Sequence, residues 1–98
     1  MMVTIFRSRL RPEHEAEYER EATRIAQIAA TMPGFVGIKT FEADDGERVS
    51  IVEFESAEAH ESWRLHPEHR AAQRLGRERF YSEYHIQVGE VSKDYRWP

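Results

Sequence analysis

The sequence predicts an α+β fold, a four-stranded antiparallel sheet built in the order β-α-β-β-α-β with both helices on one face. Three observations carry this. Four runs of residues alternate with period two, the two stretches between them switch to helical spacing, and an Asp-Gly pair separates the second run from the third. That order is the split βαβ, or ferredoxin-like, arrangement.

Taken in order, Thr4, Phe6, Ser8 and Leu10 alternate with Val3, Ile5, Arg7 and Arg9 as a first strand that ends at Pro12. From Glu13, Tyr18, Ala22, Ile25, Ala29 and Met32 step by four and three. This stripe predicts a helix about 30 Å long, with five glutamates crowding its positive end. Met32-Pro33-Gly34 stops it. Phe35 to Ala43 and Arg48 to Glu55 form a hairpin about Asp44-Asp45-Gly46-Glu47. Ser56 is the N-cap of a second helix through about His66, Pro67 restarts the chain as a separate helical segment to about Arg74, and Gly76 loosens it. Tyr81 to Val91 is the fourth strand, with Tyr84, Ile86 and Val88 directed to the core, and a polar tail follows.

Composition narrows the function classes. Ninety-eight residues suit a single domain, here 1–98 with its core in about 2–92 and a tail at 93–98. A chain of this size buries only about 60 to 65% of its unfolded surface, so self-association is expected. With 40% hydrophobic and 33% charged residues and no apolar run of about 18, neither disorder nor a membrane span is indicated. There is no cysteine, hence no thiolate nucleophile or sulfur-ligated metal. A net charge of -4 weighs against a nucleic-acid partner. The N-terminus lacks the pattern of a signal peptide, which makes the cytoplasm the expected location.

In the first three strands both faces carry apolar groups, Phe6 and Leu10 against Val3 and Ile5, Val36 and Ile38 against Phe35 and Phe41, Val52 and Phe54 against Val49 and Ile51. Two helices cover one face only. The second face is expected to pack on the sheet of another copy in a two-fold homodimer.

Trp63 shares a helix stripe with Ala59. It either fills the core or forms the lid of a pocket between helix and sheet, stacking on a planar aromatic ligand. His60, His66 and His69 are a histidine cluster, but Pro67 makes His66 an N-cap rather than a mid-helix ligand, and no metal site is expected. Arg70, Arg74 and Arg77 fall on one helix face, either solvated and paired with Glu68 and Glu78 or docking an anionic substrate group. Tyr81 and Tyr84, three apart in a strand, are expected on opposite faces. No glycine-rich phosphate loop or nucleophile elbow is present, so nucleotide cofactors are not indicated.

M-P-G-F-V-G after the first helix, the tryptophan of the second, H-P-E-H beyond it and R-E-R-F-Y-S-E-Y-H-I-Q-V entering the last strand make the chain resemble the antibiotic biosynthesis monooxygenase domain family over about residues 2–92. The resemblance implies a dimeric α/β barrel with a pocket between helices and sheet in each subunit. It also implies one of several chemistries: oxygenation of polyketide quinols without metal or flavin, quinol monooxygenation, or haem degradation. The haem degraders carry an asparagine, a tryptophan and a haem-ligating histidine at the places of Ser8, Trp63 and Gln73; only the tryptophan is kept, and glutamine is a poor iron ligand. Haem breakdown is therefore disfavoured.

The expected function is a cofactor-independent monooxygenase acting on a small aromatic or quinol. Such a site binds the ring, favours its phenolate and excludes water. Trp63 would stack the ring, Ser8 would hydrogen-bond a hydroxyl, and His66 or Arg70 would favour the phenolate, with Phe6, Gln73 and Tyr84 as further substrate contacts. A non-catalytic small-molecule-binding or stress-related dimer using the same pocket is the alternative, and a structural subunit with a filled pocket is a third.

Overall fold

The computed structural model describes residues 1–98, and its elements are β1 (Met2–Leu10), α1 (Glu15–Ala29), β2 (Phe35–Glu42), β3 (Arg48–Phe54), α2 (Ala57–Arg64), α3 (Pro67–Leu75) and β4 (Tyr81–Glu90). A 3-10 turn, Pro12–His14, leads into α1, and a π-helical turn, Gly76–Phe80, joins α3 to β4. The sheet order is β2-β3-β1-β4 with every pairing antiparallel, the ferredoxin-like arrangement. No helix is long and apolar enough to cross a membrane.

Local chemistry accounts for most boundaries. The α-helix stops at Ala29 rather than Met32: the amides of Thr31 and Met32 donate to the carbonyls of Ile28 and Ala29, three-residue bonds that tighten the chain before Pro33. Gly34 then takes φ +82°, and a Cβ there would lie 2.6 Å from that of Ala59, so both backbone and space demand glycine. At the hairpin, Arg7 bonds Glu47 and Arg9 bonds Asp45, tying the turn to β1. Ser56 Oγ accepts the amide of Ala59 and His66 Nδ1 that of Glu68, so each of the two later helices starts on its own side-chain cap. The first helix is bridged to α3 by Arg24 and Glu68 at 2.7 Å and to the π-helical turn by Glu17 and Arg79 at 2.6 Å. Being solvated, such pairs are worth only about 0 to 1 kcal/mol each. Arg70 and Arg74 therefore take no part in local pairing with Glu68, which Arg24 claims from α1.

The packed core lies at one end of the sheet. Phe54, Trp63 and Ala29 are buried together, with Ile25, Ile28, Met32, Phe35, Val52 and Ala59 against them. At the other end the facing side chains are small: Ala22 and Ala26 on α1, Ala72 on α3, Ser50 on β3. Thr40 and Ser50 hydrogen-bond each other at 2.7 Å. The layers therefore stand apart there without filling the gap. Tyr84, Ile86 and Val88 are not core residues, as Tyr84 is still 40% exposed, because neither α1 nor α3 reaches over edge strand β4.

Directly paired residues share a face of the sheet, so the register puts Val3, Ile5, Phe41, Val49 and Ile51 together on the face opposite the helices. Phe41 on that face is 48% exposed.

Gly76 does not loosen its helix. It is buried, and a Cβ there would sit 2.5 Å from Cε2 of Tyr81. Gly76→Ala is expected to cost about 1–3 kcal/mol by overpacking and to displace the Tyr81 ring. Chemical denaturation of the variant beside the wild type measures this, and an unchanged midpoint would show that the ring yields freely.

Candidate active site

The gap between α1, α3 and the sheet is a cavity of about 470 Å³, within the range of about 300–1,000 Å³ in which small-molecule sites fall. Its closed end is aromatic. Phe6 lies 5.3 Å from Tyr81 and 5.7 Å from Tyr84 between ring centroids, and Tyr18 packs edge-on against both Phe80 and Tyr81 at 5.6 and 5.8 Å.

Tyr81 and Tyr84 line this one cavity instead of opposite faces. The pairing of β1 with β4 slips by a residue: Arg9 opposes Glu83 but Leu10 opposes Tyr81, leaving Ser82 as an extra residue whose hydroxyl donates to the Arg9 carbonyl at 3.3 Å. A one-residue bulge reverses the facing of what precedes it, and this turns Tyr81 inward. Burial, with Tyr18 next to it, pushes the Tyr81 phenol far above its ordinary range. Tyr81 is therefore a neutral hydroxyl at any physiological pH, able to donate a hydrogen bond.

His69, on α3, faces the same space. Its ring stacks on Trp63 at 4.3 Å and 9°, and its Nδ1 donates to the Trp63 carbonyl oxygen at 3.1 Å. A carbonyl can only accept, so the proton sits on Nδ1 and Nε2 is left with a free lone pair. Burial, chiefly, and then the neighbouring His66 and His60 lower the pKa of His69 against the opposing effect of the Trp63 carbonyl. The imidazole is thus neutral near pH 7, as a base must be.

Arg48, at the start of β3, lies over the Tyr18 ring at 5.5 Å, and its Nε is buried without a hydrogen-bond partner. Arg77, exposed on the π-helical turn, stands on the same cavity.

Of the residues singled out by sequence, Phe6, Gln73 and Tyr84 line the cavity. Trp63 does not: it is 6% exposed in the core, with His69 between it and the opening. Ser8 is 3% exposed and borders a smaller polar hollow with Arg7, Glu47 and His85. His66 is occupied as the cap of α3, and Arg70 points to solvent on the outer side of that helix. His60 bonds Thr4 at 3.2 Å, and no group of three or more His, Cys, Asp or Glu side chains is placed to hold a metal ion. Tyr18, Arg48 and Tyr81 were not expected in the site. For Tyr81 the aromatic pair Phe80-Tyr81 beside Gly76 was the available signal; for Tyr18 it was the helix stripe itself.

A family model described as antibiotic biosynthesis monooxygenase matches residues 1–75. The uncharacterised protein YqjZ of Bacillus subtilis (strain 168) is 33% identical over 86 residues, 88% of this chain and 75% of its own. Among solved structures, a candidate antibiotic biosynthesis monooxygenase from Deinococcus radiodurans superposes with a TM-score of 0.87 at 15% identity, covering 100% of this chain and 99% of that one. SnoaB, a cofactor-independent oxygenase from Streptomyces nogalater, superposes with a TM-score of 0.78 at 19% identity, covering 95% and 94%. These likenesses agree in fold with the architecture above, and with the family match over most of its length the chain belongs to the antibiotic biosynthesis monooxygenase family.

Proposed function

We propose that this protein is a cofactor-independent monooxygenase whose substrate is a small electron-rich phenol, quinol or anthrone. The observation that carries the reading is the cavity itself: an aromatic-walled space that holds a neutral histidine with one nitrogen free and a tyrosine kept protonated. Phe6, Tyr81 and Tyr84 supply faces and edges against which a planar ring packs. Nε2 of His69 takes the proton of the substrate, and the resulting anion is steadied by the Tyr81 hydroxyl. The carbanion or phenolate then passes an electron to dioxygen, and the two radicals join as a carbon–oxygen bond. With an anthrone, one oxygen atom becomes the new carbonyl, and the second leaves as water with the two hydrogens of that carbon. Trp63 acts through His69, holding the ring by stacking and its tautomer through the carbonyl. Ser8, His66 and Arg70 lie outside the cavity and have no part in this scheme.

Oxygen uptake by the purified protein against dihydroxyaromatics and anthrones, with adventitious metal chelated, tests the reading. Protein-dependent consumption of one dioxygen per ring oxidised is the expected result. Absence of uptake across the panel overturns it in favour of a binding role for the same cavity.

The homodimer belongs to the same proposal. Two copies joined through the face of Val3, Ile5, Phe41, Val49 and Ile51 would remove that apolar surface from water. Light scattering at micromolar concentration is expected to give twice the 11.6 kDa of the chain, and a monomer mass would sink the idea.

A further inference from the structure

We propose that Arg48 is an anion-recognition residue of the cavity and that the aromatic ligand carries a carboxylate. This rests on the reading of the cavity as an aromatic site and names the class of ring it takes.

Arg48 is a guanidinium held in place with hydrogen-bonding capacity to spare. Its side chain is 22% exposed and lies over Tyr18, yet Nε is buried and bonds to nothing. A buried donor left unmade is costly, and native proteins leave few of them. Its one ion pair is with Glu19, whose oxygen is 3.6 Å from Nη2, beyond hydrogen-bond distance, and Glu42 stands opposite it in the β2–β3 register. Nε itself is closed to solvent, so a carboxylate entering the cavity engages the outer Nη groups of the guanidinium.

The charges around the cavity favour the same occupant. Arg48 and Arg77 are its cations and Glu19 and Glu21 its carboxylates, while Lys39, paired with Ile51, holds its ammonium over Phe41 on the other face of the sheet. Glu21 is already neutralised by Arg24 at 2.5 Å. Positive charge is therefore in excess on a chain whose net charge is -4. Arg48 also stands next to Tyr18 and Tyr81, at the aromatic end, so a ring seated against Phe6 and Tyr81 presents a substituent to it.

The test is equilibrium binding under nitrogen, where no oxygenation takes place, of a hydroxynaphthoic acid and its methyl ester, read by quenching of intrinsic fluorescence. The acid is expected to bind the wild type about 10- to 100-fold more tightly than the ester, the worth of a charge-assisted hydrogen bond. Arg48→Gln is expected to abolish that preference while leaving the ester's affinity in place, and Arg48→Lys to keep part of it as a point charge without the fork. Thermal melts of both variants establish that they are folded. Equal binding of acid and ester by the wild type overturns the assignment, as does a preference that survives Arg48→Gln in the folded protein. If neither ring binds, the aromatic reading of the cavity falls, and this inference with it. Binding without oxygen uptake in the earlier experiment removes the oxygenase reading alone.

Discussion

Trp63→Ala is expected to lower the stability of the fold by about 3–5 kcal/mol, the range for truncating a buried aromatic side chain. Trp63 is 6% exposed and stands with Phe54 and Ala29 in the buried cluster of the core, so its truncation leaves a space where the ring was. The packed end is small, and domains of this kind have about 5–15 kcal/mol in total. At about 4 °C or more per kcal/mol, the melting temperature should fall by at least about 12 °C. Trp63→Phe, which keeps an aromatic face under His69, should recover a good part of this. Thermal unfolding of the three proteins decides it, and a loss below about 1 kcal/mol in the alanine variant would mean that the helix layer repacks and that Trp63 is not the keystone of the core.

His69→Ala should reduce kcat/KM for oxygen consumption by about 10²- to 10⁴-fold, the contribution of a positioned general base. The fold should tolerate it better than the loss of Trp63, since His69 lies on the cavity side of the stack. The pH dependence gives the sign. Burial lowers the His69 pKa, so its basic form is complete at neutral pH and is lost only as pH falls through that lowered value. The acid limb of the wild-type rate profile is therefore expected below pH of about 6.5, the ordinary value for histidine, and should be absent from the residual activity of the variant. A limb centred above pH 7, or a variant that consumes oxygen at the full rate, would remove His69 from the role of base. Partial rescue by added imidazole would distinguish a missing base from a distorted cavity.

The same fold position shows why two tryptophan readings that sequence left open are both partly answered. Spacing put Trp63 on a stripe with Ala59, and spacing cannot say what lies beyond the ring. In the structure Trp63 packs in the core and its ring stacks on His69, which lines the cavity in its place. Ser8 shows the opposite outcome. Its parity with Phe6 on β1 put both toward the helices, but the cavity wall is set by where α1 and α3 lie, and it takes in Phe6 and not Ser8.

What the amino-acid order determined by itself was everything governed by interactions within a few residues: four strands from period-two alternation, the hairpin at Asp45-Gly46, the caps Ser56 and His66, the break at Pro67, and a sheet with two apolar faces. The tertiary structure alone decided the site. Tyr18 and Tyr81 meet across 63 positions of chain, and Arg48 reaches Tyr18 from a different element. Tyr81 turns inward only because Ser82 bulges against Arg9, and the proton of His69 is placed by a carbonyl six residues earlier on another helix. Periodicity gives the face of an element but neither the register between elements nor the side chain across the gap, and a one-residue slip in that register is enough to change which rings line a cavity.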